Sequence, residues 1–504
     1  MDIIDLNIAR YCLSQWAFDD STANEPAFTF ARKTKTNETW TYKEVWDLIQ
    51  SIGKGFLELG LEKGDRVLIR LPHSPEYAFA FFGANIAGLV PIPASPQLTD
   101  EEAFFLLDDS GASCIVQSST EQSFNFKGIT VEGKNLFDMN GNEELPRTKS
   151  EDPGFLIYTS GTTAKPKGVL HAQRTVLGRA LMSEGWQDFK KQDITMHAGT
   201  LNWSYTLGVG LMDAWAAGAH ATLQETPTLP SEWPEIIETL KINVFSAVPT
   251  IFRQILKYSE IEKYDLSSLR HVLCGGEPLT PALYEEWESR TNTKIHEALG
   301  MTELSTYISS SPTIKTRIGS PGKPQSGRNI VILPEDNDST EPLPPNEIGL
   351  LAAHRSDPGL MLGYWNRPQE EHSVFRGDWF IGGDRAAMDT DGYIWFHGRA
   401  DDVIKSFGFR LSPVEIEAAI ESHPSVSEAA VVGYQIGEGK TLVTACIVPT
   451  ENHIINDQIL KTFAAEHLAE YKQPHQYKFF KSLPRTKNGK LQRNVLLKLL
   501  NESE

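Results

Sequence analysis

The chain has 504 residues, 66 of them acidic and 47 basic, for a formal net charge of −19. Hydrophobic residues make up 40% and charged residues 22%, a balance that excludes disorder and suits more than one packed core. So acidic a chain is no general binder of nucleic acid or anionic membrane, and any polyanion it takes needs locally gathered cations. Cys12, Cys114, Cys274 and Cys446 form no CxxC pair, which predicts reduced thiols and a soluble, cytoplasmic protein rather than a disulfide or zinc framework. The N-terminus lacks a basic leader followed by an apolar core, so no secretory signal is expected. Residues 79–94, the longest apolar stretch, are broken by Gly83, Asn85, Gly88, Pro91 and Pro93. They cannot supply the ~20 continuous apolar residues of a membrane span.

In chain order, Thr41 and Glu44 read as a capping box ahead of Val45, Leu48, Ile49, Ile52 and Phe56, which share one helical face. A buried-strand run follows at 66–71, then a helix over 75–87 and a second apolar run at 89–93. Residues 117–150 are polar and aperiodic and are expected to be a surface excursion. Apolar runs near 155–158, 244–248 and 271–274 continue the helix–strand alternation, which implies α/β layers on mostly parallel strands. The acidic, proline-rich stretch 335–347 reads as an exposed loop between strands. A new pattern begins after about residue 402, where Ser412, Pro413 and Glu415 suggest a second capping box. Strands near 429–433 and 442–448, a helix near 457–470 and an apolar run at 477–480 then make a compact α+β module.

The strongest chemical signal is the run Tyr158-Thr-Ser-Gly-Thr-Thr-Ala-Lys-Pro-Lys-Gly168 at the end of an apolar strand. Gly161 and Gly168 let amides approach phosphate, Thr159, Ser160, Thr162 and Thr163 offer hydroxyls, and Lys167 adds a compact cation. It is no Walker loop, because Pro166 stands where the second glycine belongs. Residues 472–493 carry seven basic side chains and no acidic one, a segregation suited to a polyphosphate clamp with Lys490 on an Asn-Gly-Lys turn.

Together with Ala298-Leu-Gly-Met-Thr-Glu303, Gly377-Asp-Trp-Phe-Ile-Gly-Gly-Asp384, Gly398-Arg399, the stretch Asp401–Arg410 and Pro484–Lys490, this loop resembles the ordered motifs of the adenylate-forming (AMP-binding) superfamily. The acyl-CoA synthetase branch, in particular the benzoate, aryl and medium-chain ligases, is the one the chain is most similar to. The resemblance implies a large N-terminal α/β domain of parallel-sheet layers over residues 1–398, a hinge at 399–402 and a small mobile C-terminal α+β domain over 403–504. It implies ATP, Mg2+ and CoA as cofactors and co-substrates, with an acyl-adenylate as intermediate.

On that resemblance, Lys490, Glu303 and Thr302 serve catalysis, Glu303 also reaching Mg2+ on the ATP phosphates. Thr159–Thr163, Lys167, Gly275, Gly276, Glu277, Leu299, Gly300, Asp384, Arg399 and Arg410 bind ATP or AMP, with Asp384 and Arg399 on the ribose. Asp401 is the hinge, and Gly408 leaves a narrow passage for CoA. Trp203, Tyr205 and Phe245, with Leu299, are expected to wall a partly aromatic acyl pocket for an aromatic or medium-chain acid; His197 reads as a core histidine. Ala164 replaces the glycine usual in the phosphate loop, and Leu299 a common tyrosine. Fourteen residues follow Lys490, too few for a fused carrier domain, so free CoA is the expected acceptor. The alternatives are an adenylation enzyme loading a separate carrier protein and a catalytically silent nucleotide-binding homologue. The partners expected are the acid, ATP and CoA, with no nucleic acid and no integral membrane segment; a homodimer is compatible with the sequence.

Overall fold

Thr41 starts the helix Tyr42–Glu58 as its spacing predicts: its side chain accepts the Glu44 amide while the Glu44 carboxylate accepts the Thr41 amide. The computed structural model describes residues 5–118, 126–159, 166–277, 279–400, 402, 404–406, 409–436, 441–450, 455–468, 470–485 and 491–502, with the backbone alone at Lys405, Phe409, Arg410 and Tyr471. Ser160, Gly161, Thr162, Thr163, Ala164, Asp401, Gly408 and Lys490 lie outside the described residues, as does the side chain of Arg410.

The principal sheet has nine strands in the order Lys323–Pro324, Ser305–Ser309, Ile295–Met301, His271–Gly275, Val244–Ala247, Ile194–His197, His220–Gln224, Pro26–Ala31 and Glu38–Thr41. The six from Ile295–Met301 to Pro26–Ala31 run parallel. Parallel strands joined by crossover helices must bury both faces, and both are covered here. One face carries Val244 and Leu273 into a core shared with helices Ile8–Ala17, Tyr42–Glu58 and Pro75–Ile86. The other carries Met196, Phe245, Val272 and Cys274 against helices Trp233–Leu240, Pro249–Tyr258 and Pro281–Thr291.

A second, four-stranded parallel sheet runs Val90–Pro93, Arg66–Arg70, Cys114–Gln117, Ile129–Glu132. The last of these corrects the sequence reading of 117–150 as a loop: four residues of it pair with Cys114–Gln117 and continue the sheet. The signal was too short for periodicity to register.

A three-stranded sheet joins Gly363–Tyr364 to Lys167–Ala172 and Pro153–Thr159, so residues almost two hundred apart in sequence frame the phosphate-loop segment. A further sheet sets Trp379–Met388 beside Ile394–Arg399, with Asp384 directly opposite Arg399. The loop 335–347 lies between strands Ile330–Leu333 and Gly349–His354, as expected.

Residues 404–500 build cores of their own, around Ile404, Ile416, Val431 and Ala445 on one side of a small sheet and Val432, Cys446 and Leu496 on the other. Helix Pro413–Glu421 begins where the sequence predicts, but the second capping box does not form. The Ser412 hydroxyl donates to the His397 carbonyl at 2.8 Å, and Glu415 pairs with Lys472. The hydroxyl donates to a tertiary acceptor and makes no bond to the local amide that a capping box would have it accept. A closing helix, Arg493–Glu502, was not read from sequence; Leu496 and Leu500 dock it on the small sheet.

Candidate active site

Parallel strands leave their carboxyl ends open to ligands, and Gly275, Gly276, Glu277, Leu299 and Gly300 lie at such ends, while Thr159, Lys167, Asp384 and Arg399 come from antiparallel pairs. Strand Pro153–Thr159 delivers Thr159 to the mouth of the loop, and Lys167 returns directly opposite it. Strand His271–Gly275 ends in Gly275, followed by Gly276 at φ +88°, a left-handed turn that glycine adopts without strain. Glu277 then accepts the Thr250 hydroxyl at 2.7 Å, and Arg485 of the C-terminal segment stands 3.5 Å from its other oxygen.

Strand Ile295–Met301 folds back onto Ser305–Ser309, with a register shift between Leu299 and Gly300. A Cβ at Gly300 would fall 2.6 Å from the Ser305 carbonyl, so only glycine fits this reversal, which carries Thr302 and Glu303 in its turn. Leu299 packs at the border of the core that holds Val169, Leu304, Tyr307 and Tyr364.

Tyr364 is the residue that sequence reasoning missed. Its hydroxyl donates to Glu303 Oε1 at 2.7 Å, and the Lys167 ammonium sits 3.9 Å from its ring centroid. One side chain therefore touches both a candidate carboxylate and a candidate cation, from positions 136 residues apart. Burial first, and then the Glu303 charge, raise the phenol pKa far above its ordinary value, so the hydroxyl stays a donor. Lys167 is also 3.7 Å from Glu370. The nearest sequence signal was the Gly363-Tyr-Trp365 run, which has no meaning until strand Gly363–Tyr364 pairs with Val169 and Leu170.

Asp384 is 5% exposed, with Arg399 Nη1 3.3 Å from Oδ1. Its neighbour Gly383 has φ +85°, and a Cβ there would meet the Arg399 guanidinium at 3.0 Å. The buried Tyr307 hydroxyl joins the two halves: burial, the Asp384 charge and the Glu303 charge all push its pKa up, while Arg399 lowers it. Asp384, Arg399 and Glu303 are thus electrostatic neighbours of a single phenol.

Among the described residues no cluster of three or more His, Cys, Asp or Glu could hold a metal on protein ligands alone. One carboxylate, Glu303, suits a hard cation that keeps most of its ligands from phosphate and water, which is how Mg2+ binds with nucleotides.

The expected acyl wall is brought together only in part. Tyr205 lies edge-on to His197, with ring centroids 4.4 Å apart, and stacks on Trp186 at 6.0 Å. Trp203 is half-buried in the same turn. Phe245 does not join them. It sits on the opposite face of the principal sheet, fully buried between Trp233 and Phe252. Successive residues of a strand alternate faces, and it is Val244 and Ser246 that share the Tyr205 side.

The solved structure of an anthranilate CoA ligase, AuaEII, in complex with anthranoyl-AMP superposes with a TM-score of 0.88 at 25% identity, covering 100% of this chain and 99% of that one. A benzoate CoA ligase from Burkholderia xenovorans gives 0.86 at 25% identity, covering 97% and 99%. The two-part α/β architecture, large parallel-sheet layers followed by a smaller domain, is that of the adenylate-forming enzymes. The model of the AMP-binding enzyme family matches residues 15–365, and that of the AMP-binding enzyme C-terminal domain residues 415–490, so the chain belongs to that family. The acetyl-coenzyme A synthetase of Bacillus subtilis (strain 168) is 32% identical over 519 residues, spanning 97% of this chain and 90% of its own length.

Proposed function

We propose that this protein is an ATP-dependent, AMP-forming acyl-CoA ligase that activates an aromatic or medium-chain carboxylic acid. The observation that carries the reading is the convergence on Tyr364: Lys167 from the phosphate-loop strand and Glu303 from the strand reversal meet on one ring, beside the Asp384–Arg399 pair. A cation, a carboxylate and an acceptor–donor pair suited to a sugar's hydroxyls are what a nucleoside triphosphate needs. The anthranilate and benzoate ligases among the structural neighbours support an aromatic acid.

In this reading Asp384 accepts the ribose hydroxyls while Arg399 holds its carboxylate in place. Lys167, with Thr159, Ser160, Gly161, Thr162 and Thr163, receives the departing pyrophosphate. Gly275, Gly276 and Glu277 edge the adenine, with Leu299 and Gly300 beneath it. Thr302 contacts phosphate, and Glu303, oriented by Tyr364, is the protein's ligand to Mg2+; that ion would supply charge neutralisation at the phosphates. Lys490 neutralises charge as the acid's carboxylate attacks the α-phosphorus, expelling pyrophosphate and leaving an acyl-adenylate. CoA thiolate then attacks the acyl carbon and expels AMP, with Gly408 lining its path and Arg410 having served the first half. The domain bounds 1–398, 399–402 and 403–504 belong to the proposal, with Asp401 as hinge. Their support is that the described cores separate into one set ending at Ile394 and another beginning at Ile404.

The proposal also keeps the chain in the cytoplasm, supported by four buried, unpaired thiols, and leaves homodimerisation open to a sizing measurement. No helix among the described residues is long and apolar enough to cross a membrane. The deciding experiment incubates the purified chain with ATP, CoA and a panel of benzoates, phenylacetates and C4–C12 fatty acids. AMP, pyrophosphate and a CoA thioester in equal amounts are expected. AMP release without thioester points to a carrier-protein acceptor, and no nucleotide turnover with any acid refutes the proposal.

A further inference from the structure

The turn that follows strand Ile194–His197 leaves three polar side-chain atoms shielded from solvent and without a partner: His197 Nε2, Trp203 Nε1 and Tyr205 Oη. Their chemistry is the same. His197 is 2% exposed, and its Nδ1 accepts the Gly199 amide at 2.9 Å. Burial lowers its pKa to about 3, so the ring is neutral and its proton is on Nε2. Trp203 Nε1 can only donate. Burial raises the Tyr205 phenol far above its ordinary range, so it too keeps a proton to give. All three are donors, all are neutral, and no lysine or arginine stands among residues 197–205.

Their placement ties them to the candidate site. His197 ends one parallel strand, and its ring meets that of Tyr205 at 87°. The Tyr205 hydroxyl reaches the end of another: a Cβ at Gly275 would lie 3.7 Å from it, and Gly275 pairs with Ala298, one residue before Leu299. Tyr205, and His197 through it, therefore stand next to the segment that the proposed function assigns to adenine and phosphate, and Trp203 lies two residues before Tyr205 in the same turn. A purely hydrocarbon acid offers nothing to any of them. Keeping a buried donor unmatched costs on the order of tenfold in binding for each one.

We infer that the acid has a second functional group, a neutral oxygen such as a hydroxyl or ketone on its acyl body, which the His197, Trp203 and Tyr205 donors recognise. This rests on the ligase reading and narrows its substrate class from aromatic or medium-chain acids in general to their oxygen-bearing members. A second carboxylate is disfavoured, because the donors include no cation. His197 and Tyr205 become specificity-determining residues in place of core packing.

The test measures kcat/KM for CoA thioester formation with matched acids: benzoate against 2-, 3- and 4-hydroxybenzoate, and hexanoate against 5-oxohexanoate. At least one oxygenated acid is expected to exceed its parent by about tenfold or more, since sites built around a substrate oxygen reject analogues lacking it. Tyr205→Phe and His197→Phe should shrink that ratio toward unity, whereas His197→Gln, which keeps a donor, should preserve part of it. The ratio is read within one preparation, so a partly destabilised variant does not distort it. Parent acids used as well as every oxygenated partner by the native chain would overturn the inference and leave the ligase reading intact. Absence of thioester from all acids would overturn the ligase reading itself, and this inference with it.

Discussion

The nucleotide and acyl parts of the candidate site differ in how they satisfy their polar groups. On the nucleotide side the charged candidates among the described residues already have partners: Asp384 with Arg399, Glu303 with Tyr364, Lys167 with Tyr364 and Glu370, and Glu277 with Thr250. On the acyl side His197, Trp203 and Tyr205 present neutral donors with none. The difference follows from cost. An uncompensated charge out of water is expensive, several kcal/mol even after relaxation, so charges must be held by the protein before any ligand arrives. A neutral donor left unmatched costs only about 1–3 kcal/mol, a penalty a fold can carry and a substrate can remove. On the proposed assignment the nucleotide half is thereby preorganised, and the acyl half would store its selectivity as unmet hydrogen bonds.

The sharpest way to break this contrast is to remove the cation that would act across it. Lys490→Ala is expected to slow adenylation by about a hundredfold to a thousandfold, the scale of a lost charge-stabilising group. Pyrophosphate exchange reads that step, while thioester formation from supplied acyl-adenylate should change less than about tenfold. Equal losses in both would contradict the assignment of Lys490 to the first half-reaction.

Glu297 is the exception on the nucleotide side. Its carboxyl accepts the Leu279 amide at 3.0 Å and is pushed up to about 7 by burial. A folded pKa above the unfolded value means the native state holds the extra proton. Its contribution to stability is therefore full below about pH 4 and is lost as pH rises through 7. Glu297→Gln keeps an acceptor for Leu279 and removes the titration. The variant should gain on the order of 3 kcal/mol over the native chain in urea unfolding at pH 8, and almost nothing at pH 4.5. Parallel stability curves for the two proteins would show that the ionised carboxylate is compensated in the native state and that its pKa is not raised.

Smaller effects sharpen the rest. Asp384→Asn should raise the KM for ATP by about tenfold to a hundredfold, as expected for a hydrogen bond to a charged group, with the KM for acid within about twofold. The reverse pattern would move Asp384 to the acyl side. Tyr364→Phe acts through Glu303 and Lys167, so a rise of about threefold to tenfold in the KM for ATP is expected, with acid affinity unmoved.

Legibility tracked the range of each interaction. The Thr41–Glu44 box was readable because both partners lie within one helical turn. The equivalent signal at Ser412 misled, because the His397 carbonyl, brought in by the fold, took its hydroxyl. Phe245 was legible as a buried strand residue but not as a residue facing away from Tyr205, since alternation along four residues does not say which face meets a ligand. Tyr364 had no local signature; its role depends on strands from two distant segments.

The sequence by itself determined the class of protein, since a phosphate loop, the Ala298–Glu303 motif and a basic C-terminal segment are local, ordered signals. Only the tertiary structure decided which side chains join those signals and which stay unmatched. Partnership between buried groups is a property of distance in space, and a chain acquires those distances by folding.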